Sequence, residues 1–168
     1  MKKIKDNFLI EIISAQDIKG EKNEEEIKLK TRGTMKKVNN QIYIIYKEYS
    51  NKIENTCTIK IKNDSCVNVI RHGSTESRLV LEKDKKHYCP YCTREGSFVF
   101  GIFTNTVDID YSENKCKLDL KYSLDINSQL ISNNIISGTV YFNFFDIFIF
   151  VFFKIFHHNF SNFTRRIF

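Results

Sequence analysis

Apolar and polar residues alternate along most of the first 141 positions of the chain. Between positions 25 and 33, one face is mainly apolar and the other is basic: Ile27, Leu29 and Thr31 alternate with Lys28, Lys30 and Arg32. Alternation with a period of two is typical of a half-buried β-strand. No stretch of this region has the spacing expected for a helix of three turns. The pattern therefore predicts a succession of short strands.

Asn, Asp and Ser separate the predicted strands. Asn39-Asn40 divides Met35–Val38 from Gln41–Tyr49 and predicts a tight hairpin, because Asn tolerates positive φ. Asn63-Asp64-Ser65 likewise turns Thr56–Lys62 back into Cys66–Arg71. The same pattern predicts strands at 8–15, Ser77–Glu82, Phe98–Thr104, Thr106–Tyr111, Lys115–Ile126 and Gln129–Phe142.

About ten short antiparallel strands predict an all-β meander. A long sheet avoids exposed edges by closing on itself, so we expect a closed β-barrel. A β-sandwich is the alternative, since the same alternation serves both architectures. Small barrels are either filled by side chains or hold one small ligand. Phe8, Tyr43 and Tyr122 are predicted to point inward, which favours filling.

The composition changes at Phe142, because residues 142–168 contain 11 of the 15 Phe residues. We therefore divide the chain into a barrel domain, 1–141, and a Phe-rich extension, 142–168, that need not belong to the ancestral domain. The uncharged run Ile147–Phe153 is too short for a spanning helix, which needs about 20 residues. The alternatives are an extension of the last strand, a reading-frame artefact, or a weak interfacial anchor with His157, His158, Arg165 and Arg166 at the headgroups.

Charge and cysteine content narrow the function classes. The net charge of +6 is dispersed along the chain, whereas nucleic-acid binders usually carry a clustered basic stripe, so we do not expect a nucleic-acid partner. Five cysteines cannot form a complete set of internal disulfides. The basic residues at the N-terminus are not followed by an apolar segment long enough for an export signal. We therefore expect a cytoplasmic protein.

Cys89-Pro90-Tyr91-Cys92 resembles the redox dithiol of glutaredoxins. Such a dithiol needs a helix N-terminus to lower its thiol pKa, but the residues that follow alternate as a strand. We interpret the motif as a Pro-containing turn between strands. A zinc site is the alternative, with His87, Cys89, Cys92 and Cys116 as candidate ligands. Zinc sites commonly use two closely spaced pairs and this chain has one, so we predict no cofactor.

The candidate ligand-binding residues gather around the segment Arg71–Arg78. Guanidinium, imidazole and phenol groups there could hold an anion or carboxylate at the barrel mouth. The candidates are Arg71, His72, Arg78, Tyr88 and Tyr91. Alternatively, the segment is a solvated hairpin whose arginines pair with Glu76 and Glu82. No nucleophile–base set or phosphate loop is recognisable, so the sequence does not indicate an enzyme.

Six motifs follow one another along the chain: Thr31-Arg32-Gly33, Gln41–Glu48, Val69–Gly73, Pro90-Tyr91, Phe98–Thr104 and Leu118–Leu124. This ordered string resembles the YwiB-like proteins, a bacterial family of uncharacterised, calycin-like β-barrels. The resemblance covers about residues 5–140 and implies a lipocalin-like closed barrel with no assigned activity. Near Pro90 the family pattern looks like Thr-Pro-Tyr-Gly, so Cys89 and Cys92 depart from it, and the Phe-rich extension has no counterpart.

Two functions follow from these observations. The first is a binding module that encloses a small apolar or anionic ligand, oriented by Arg71 or Arg78 at the mouth. The second is a structural or regulatory protein whose filled barrel binds a macromolecular partner through its outer face. A cavity of a few hundred Å³ would favour the first.

Overall fold

The computed structural model describes residues 8–19, 25–50, 53–94, 96–112 and 115–142, and these residues form ten β-strands and no helix. The first five strands are β1 (Phe8–Ile18), β2 (Glu25–Val38), β3 (Gln41–Ser50), β4 (Ile53–Asn63) and β5 (Cys66–His72). The remaining five are β6 (Glu76–Glu82), β7 (Lys86–Cys92), β8 (Ser97–Tyr111), β9 (Lys115–Ile126) and β10 (Gln129–Tyr141).

Each strand pairs antiparallel with the next, and β1 also pairs with β10. The closing register runs from Leu9 opposite Tyr141 to Ile18 opposite Ser132. The predicted all-β meander closed into a barrel is therefore confirmed, and the β-sandwich alternative is wrong. The calycin-like or lipocalin-like assignment remains a prediction.

The tight hairpins have the backbone geometry that their turn residues predict. Asn39 and Asn40 have φ of 48° and 61°, and Asn127 and Ser128 have φ of 50° and 65°. Two consecutive residues with positive φ match the right-handed twist of the strands that they join. The Asn39-Asn40 hairpin is therefore confirmed.

Gly33 forms a corner of the barrel. β2 pairs with β1 through Glu25–Gly33 and with β3 through Gly33–Val38. A Cβ on Gly33 would lie 2.3 Å from the carbonyl oxygen of Ile45 and 2.5 Å from Cδ1 of Ile10. Glycine therefore lets three strands approach here, as is common at barrel corners. On the N-terminal side of Gly33, β2 does not pair with β3.

Two predictions about strand boundaries are wrong. Cys89–Cys92 is not a turn but part of β7, which pairs with β8 along Lys86–Cys92. β7 pairs with β6 only through Cys92 and Tyr91, and a strand with an open edge can accommodate Pro90. Phe98–Thr104 and Thr106–Tyr111 are not two strands but one, β8, whose register shifts between Thr104 and Thr106.

The inward assignment of Tyr43 is also wrong. Tyr43 pairs with Lys36 on β2 and Lys60 on β4, on the face opposite the buried Ile44 and Tyr46. The ammonium groups of Lys36 and Lys60 lie 5.9 and 5.1 Å from the ring centroid. These cation–π contacts place the ring on the outer surface, whereas Tyr122 is buried as predicted.

The inward-facing residues divide the interior into two ends. One end, here named the apolar end, is lined by buried aliphatic side chains: Ile10, Ile44, Ile61, Val67, Leu81, Leu118 and Val140. The other end carries polar and charged residues on the same inward face of the same strands. We name this polar end, lined by Ser14, Glu48, Asn55, Arg71 and Asn134, the barrel mouth.

Phe142 is the last described residue, and its ring packs edge-on against that of Phe8, with 6.0 Å between the ring centroids. The rest of the Phe-rich extension lies outside the described residues. The domain boundary, the interfacial anchor and the reading-frame hypothesis therefore remain predictions. Within the described ranges, no helix is long and apolar enough to cross a bilayer.

Candidate functional site at the barrel mouth

The barrel mouth is built by strands whose inward face changes from apolar to polar along their length. On β1, the buried Ile10 and Ile12 are followed on the same face by Ser14. On β5, Val67 and Val69 are followed by Arg71. Because side chains alternate between faces, this two-residue spacing directs the polar groups into the barrel.

Two adjoining cavities occupy the mouth, with volumes of about 210 and 610 Å³. Both are lined by Ser14, Ile27 and Arg71. Other lining residues are aliphatic: Ile12, Leu29, Val69, Leu79 and Ile136. The larger volume falls within the range of about 300–1,000 Å³ that is usual for ligand sites. The mouth therefore combines space, apolar walls and a few polar groups.

Inside the barrel, the side chain of Arg71 on β5 contacts side chains of β3 and β4. Its Nη2 lies 3.0 Å from Oε2 of Glu48 on β3. Cys57 on β4 pairs with both Tyr46 and Arg71 across the sheet, and its thiol shares a hydrogen bond with the guanidinium. The Nε of Arg71 is buried and has no hydrogen-bond partner among the described residues. The guanidinium therefore retains an unused donor.

The pKa values in this cluster have identifiable causes. Burial is the largest single influence and opposes the charge on Arg71, but the Glu48 carboxylate and the neighbouring Cys57 and Tyr46 together outweigh it, so the pKa of Arg71 is raised. Burial raises the pKa of Cys57 to about 11 and that of Tyr122 to about 12. The Arg71–Glu48 ion pair is therefore surrounded by a thiol and phenols that stay neutral near pH 7.

Hydrogen bonds hold the uncharged polar groups of the mouth in position. The amide of Asn134 donates to Oγ of Ser132 at 3.0 Å, and Gln16 donates to the same oxygen at 3.2 Å. On the opposite side, the backbone N–H of Ser74 donates to Oδ1 of Asn55 at 2.8 Å. These contacts limit the side-chain freedom of the site before any ligand arrives.

Of the five predicted ligand-binding residues, the structure places Arg71 in the cavities. His72 is exposed at the rim, with Nδ1 2.7 Å from Oε2 of Glu76. Arg78 pairs with Ile70 on the outer face of β6. The alternative in which the two arginines pair with Glu76 and Glu82 is wrong, because Glu76 contacts His72, and Glu82 contacts Lys85 and His87.

The two predicted tyrosines do not line these two cavities. Tyr88 lies on the outer face and is 69% exposed, with the Lys86 ammonium 5.4 Å from its ring centroid. Tyr91 packs against Phe100 at 5.3 Å between centroids. The structure therefore does not bring the five candidates together into one site.

The four candidate zinc ligands are also separated. His87 contacts Glu82 at 2.9 Å, and the Cys89 sulfur accepts the backbone N–H of Val80 at 3.4 Å. Cys116 is buried two strands away, on β9, between Tyr111 and Val140. In the part of the chain that the structure describes, no three His, Cys, Asp or Glu side chains are grouped to hold a metal. Burial raises the pKa of Cys89, which disfavours a reactive thiolate.

Sequence reasoning missed Glu48, the partner of Arg71. The available signal was its position two and four residues after the inward Tyr46 and Ile44. A carboxylate on the apolar face of a strand is unusual and suggests a buried partner. Ser14 on β1 and Asn134 on β10 are likewise polar residues on the inward, mainly apolar face of their strands.

Comparisons with known proteins agree with the barrel. The family described as "Domain of unknown function (DUF1934)" matches residues 10–137. The crystal structure of the ywiB protein from Bacillus subtilis is similar, with a TM-score of 0.71 and 18% sequence identity. The alignment covers 81% of this chain and 91% of that chain, which supports a common fold. The search of curated proteins finds no match.

Proposed function

We propose that this chain, which belongs to the YwiB-like DUF1934 family, is a binding module that holds a small, partly apolar ligand in the barrel mouth. Arg71 orients the polar end of the ligand, and the aliphatic walls of the two cavities contact its apolar part. Ligand pockets commonly combine apolar walls with a few well-placed polar groups.

The observation that carries this proposal is the position of Arg71. Its side chain is 35% exposed, lines both cavities and keeps a buried Nε without a partner among the described residues. Because the Arg71 side chain is partly exposed and lines both cavities, the site favours a ligand with a hydrogen-bond acceptor.

Native mass spectrometry of the protein purified from its own cells tests the proposal. We expect a retained small molecule in the wild type and its loss in Arg71→Met. Arg78→Met is the matched control, because Arg78 lies on the outer face only seven residues away in the sequence. No retained molecule in the wild type, or equal retention in Arg71→Met, would contradict the proposal.

The cytoplasm is the proposed compartment. All five cysteines, Cys57, Cys66, Cys89, Cys92 and Cys116, are free thiols. Free buried thiols are compatible with a reducing environment. Fractionation of the producing cells, with detection of the protein in the soluble cytoplasmic fraction, is the corresponding measurement.

A second candidate function, contact with a macromolecular partner, is favoured by an apolar patch on the outer face of β7 and β8. Tyr88, Pro90, Val99 and Phe103 are exposed there on one face of the sheet. Exposed apolar patches often mark interaction sites. Photo-crosslinking from position 88, with position 117 on the outer face of β9 as control, should then yield one specific adduct.

A further inference from the structure

We infer that the barrel mouth selects a zwitterionic head group, whose carboxylate binds Arg71 and whose ammonium binds Glu48. This inference rests on the proposed ligand-binding function and specifies the chemistry of the ligand. Its basis is that both members of the 3.0 Å ion pair line the larger cavity.

The charge balance of the mouth is the first argument. Arg71 and Glu48 are 35% and 24% exposed, so each is partly removed from water and the pair is neutral overall. A ligand with only a carboxylate would compete with Glu48 for Arg71 and leave one negative charge without a partner. An uncompensated charge in a partly buried site is costly. A zwitterion adds one charge of each sign and keeps the site neutral.

The geometry of the pair is the second argument. Glu48 and Arg71 lie on β3 and β5, on either side of the neutral Cys57 thiol of β4. Their contact joins Nη2 of Arg71 to Oε2 of Glu48, and both side chains are partly exposed and line the larger cavity. A carboxylate and an ammonium attached to one carbon can therefore bind both side chains at once, as charge-assisted hydrogen bonds favour.

The other ionisable residues that line the larger cavity, Lys28 and Tyr49, already have partners. Lys28, which also lines the larger cavity, lies 2.8 Å from Glu26 on the exterior. Tyr49 donates to Glu54 at 2.6 Å. The ion pair on β3 and β5 is therefore the main electrostatic feature that faces the cavity interior.

The apolar walls determine the rest of the ligand. Ile12, Ile27 and Leu29 line the larger cavity beside the ion pair, and Val69, Leu79 and Ile136 line the smaller one. Aliphatic walls next to a zwitterion site fit an apolar α-amino acid or a molecule with the same head group. We therefore use leucine as the probe.

The experiment compares three probes that share one side chain. Leucine carries both charges, N-acetyl-leucine only the carboxylate, and leucinamide only the ammonium. Isothermal titration calorimetry at pH 7 should show leucine binding to the wild type about tenfold or more tightly than either analogue. Equal binding of leucine and N-acetyl-leucine would overturn the inference.

Variants of the ion pair should change the order of affinities. In Glu48→Gln, the charge of Arg71 is no longer compensated, so N-acetyl-leucine should bind at least as tightly as leucine. In Arg71→Gln, leucinamide should gain in the same way. Arg78→Gln is the control and should keep the wild-type order. If either ion-pair variant fails to fold, the three-probe comparison on the wild type still decides the question.

The outcomes separate this inference from the proposed function. A retained ligand with a single charge in native mass spectrometry, together with no leucine binding, overturns the zwitterion inference and leaves the binding function standing. No retained ligand and no binding of any probe overturns both.

Discussion

The two ends of the barrel interior are built on the same strands but have opposite chemistry. On β9, Leu118 at the apolar end is almost fully buried among aliphatic neighbours, whereas Tyr122 at the barrel mouth lines a cavity that polar groups such as Arg71 and Asn134 also line. On β1, Ile10 and Ser14 differ in the same way. A continuous antiparallel barrel can therefore keep its stabilising core at one end and a solvent-accessible polar site at the other.

The apolar end and the mouth contribute differently to the free energy of folding. Burial of apolar surface contributes roughly 25 cal/mol per Å², so the apolar end is expected to supply most of the stability. The mouth contains a partly buried ion pair and the unpartnered Nε of Arg71, which are costly. Such local costs are typical of functional sites that the rest of the fold supports.

The largest expected effect is at the apolar end. Leu118→Ala should reduce the free energy of unfolding by about 2–5 kcal/mol, because it leaves a cavity in a packed core. Urea denaturation measures this loss. Lys117→Ala on the outer face is the control and should change stability by no more than about 0.5 kcal/mol. Similar values for the two variants would show that the inward side chains of the apolar end do not supply the stability.

Gly33→Val tests the corner at which β2 and β3 separate. Its Cβ would collide with the Ile45 carbonyl and with Ile10, so we expect a loss of about 1–3 kcal/mol. Gly138→Ala is the matched control, because its nearest neighbour, Cβ of Leu118, would lie 4.0 Å away. We expect that control to be unchanged or up to about 1 kcal/mol more stable.

Arg71→Met tests the mouth. It leaves Glu48 without its partner, and we expect a loss of about 1–3 kcal/mol in the free energy of unfolding. The double variant Arg71→Met/Glu48→Leu should recover part or all of that loss, because two apolar side chains can replace a partly buried pair. A double variant less stable than Arg71→Met would show that the mouth is not a destabilised region.

Alkaline pH should lower the free energy of unfolding, first through Cys116 and then, at higher pH, through Tyr122 at the mouth. Burial raises the pKa of Cys116 from 9.0 to about 11 and that of Tyr122 from 10.0 to about 12. Above pH 9 the folded state then binds more protons than the unfolded state, so stability falls as pH rises. Denaturation curves from pH 7 to 12 should show this decline. Cys116→Val should remove part of the decline that starts near pH 9, and Tyr122→Phe part of that which starts near pH 10.

The smallest effects are expected in the hairpin turns. Asn127-Ser128 lies at the mouth and Asn39-Asn40 at the apolar end, and all four residues have positive φ. Ser tolerates this conformation less well than Asn, so Ser128→Gly should stabilise the protein by about 0.5–1 kcal/mol. Asn40→Gly should gain no more than about 0.5 kcal/mol. The reverse order would show that the φ values do not limit stability here.

Much of the fold was predictable from local patterns. Alternation located most of the strands, and Asn pairs located the tight turns, because side-chain direction and backbone φ depend on neighbouring residues. Local patterns failed where pairing partners decided the outcome. Pro90 suggested a turn, but β7 accommodates it because one of its edges is largely open. Tyr43 suggested a core residue, but the lysines on both neighbouring strands hold it outside.

The candidate site was predictable only in part. Arg71 was identified from a local cluster of polar groups, and that cluster does not assemble in the structure, because His72, Arg78 and Tyr88 point elsewhere. The partner that does contact Arg71 is Glu48, on a strand with β4 in between. Nothing in the spacing of these two residues in the sequence indicates that contact.

The sequence by itself determined that this chain forms antiparallel strands with one apolar face, because alternation and turn propensities act between near neighbours. Only the tertiary structure decided which polar residues meet inside the barrel. That choice depends on register and closure, and a shift of one residue on β3 would turn Glu48 away from Arg71.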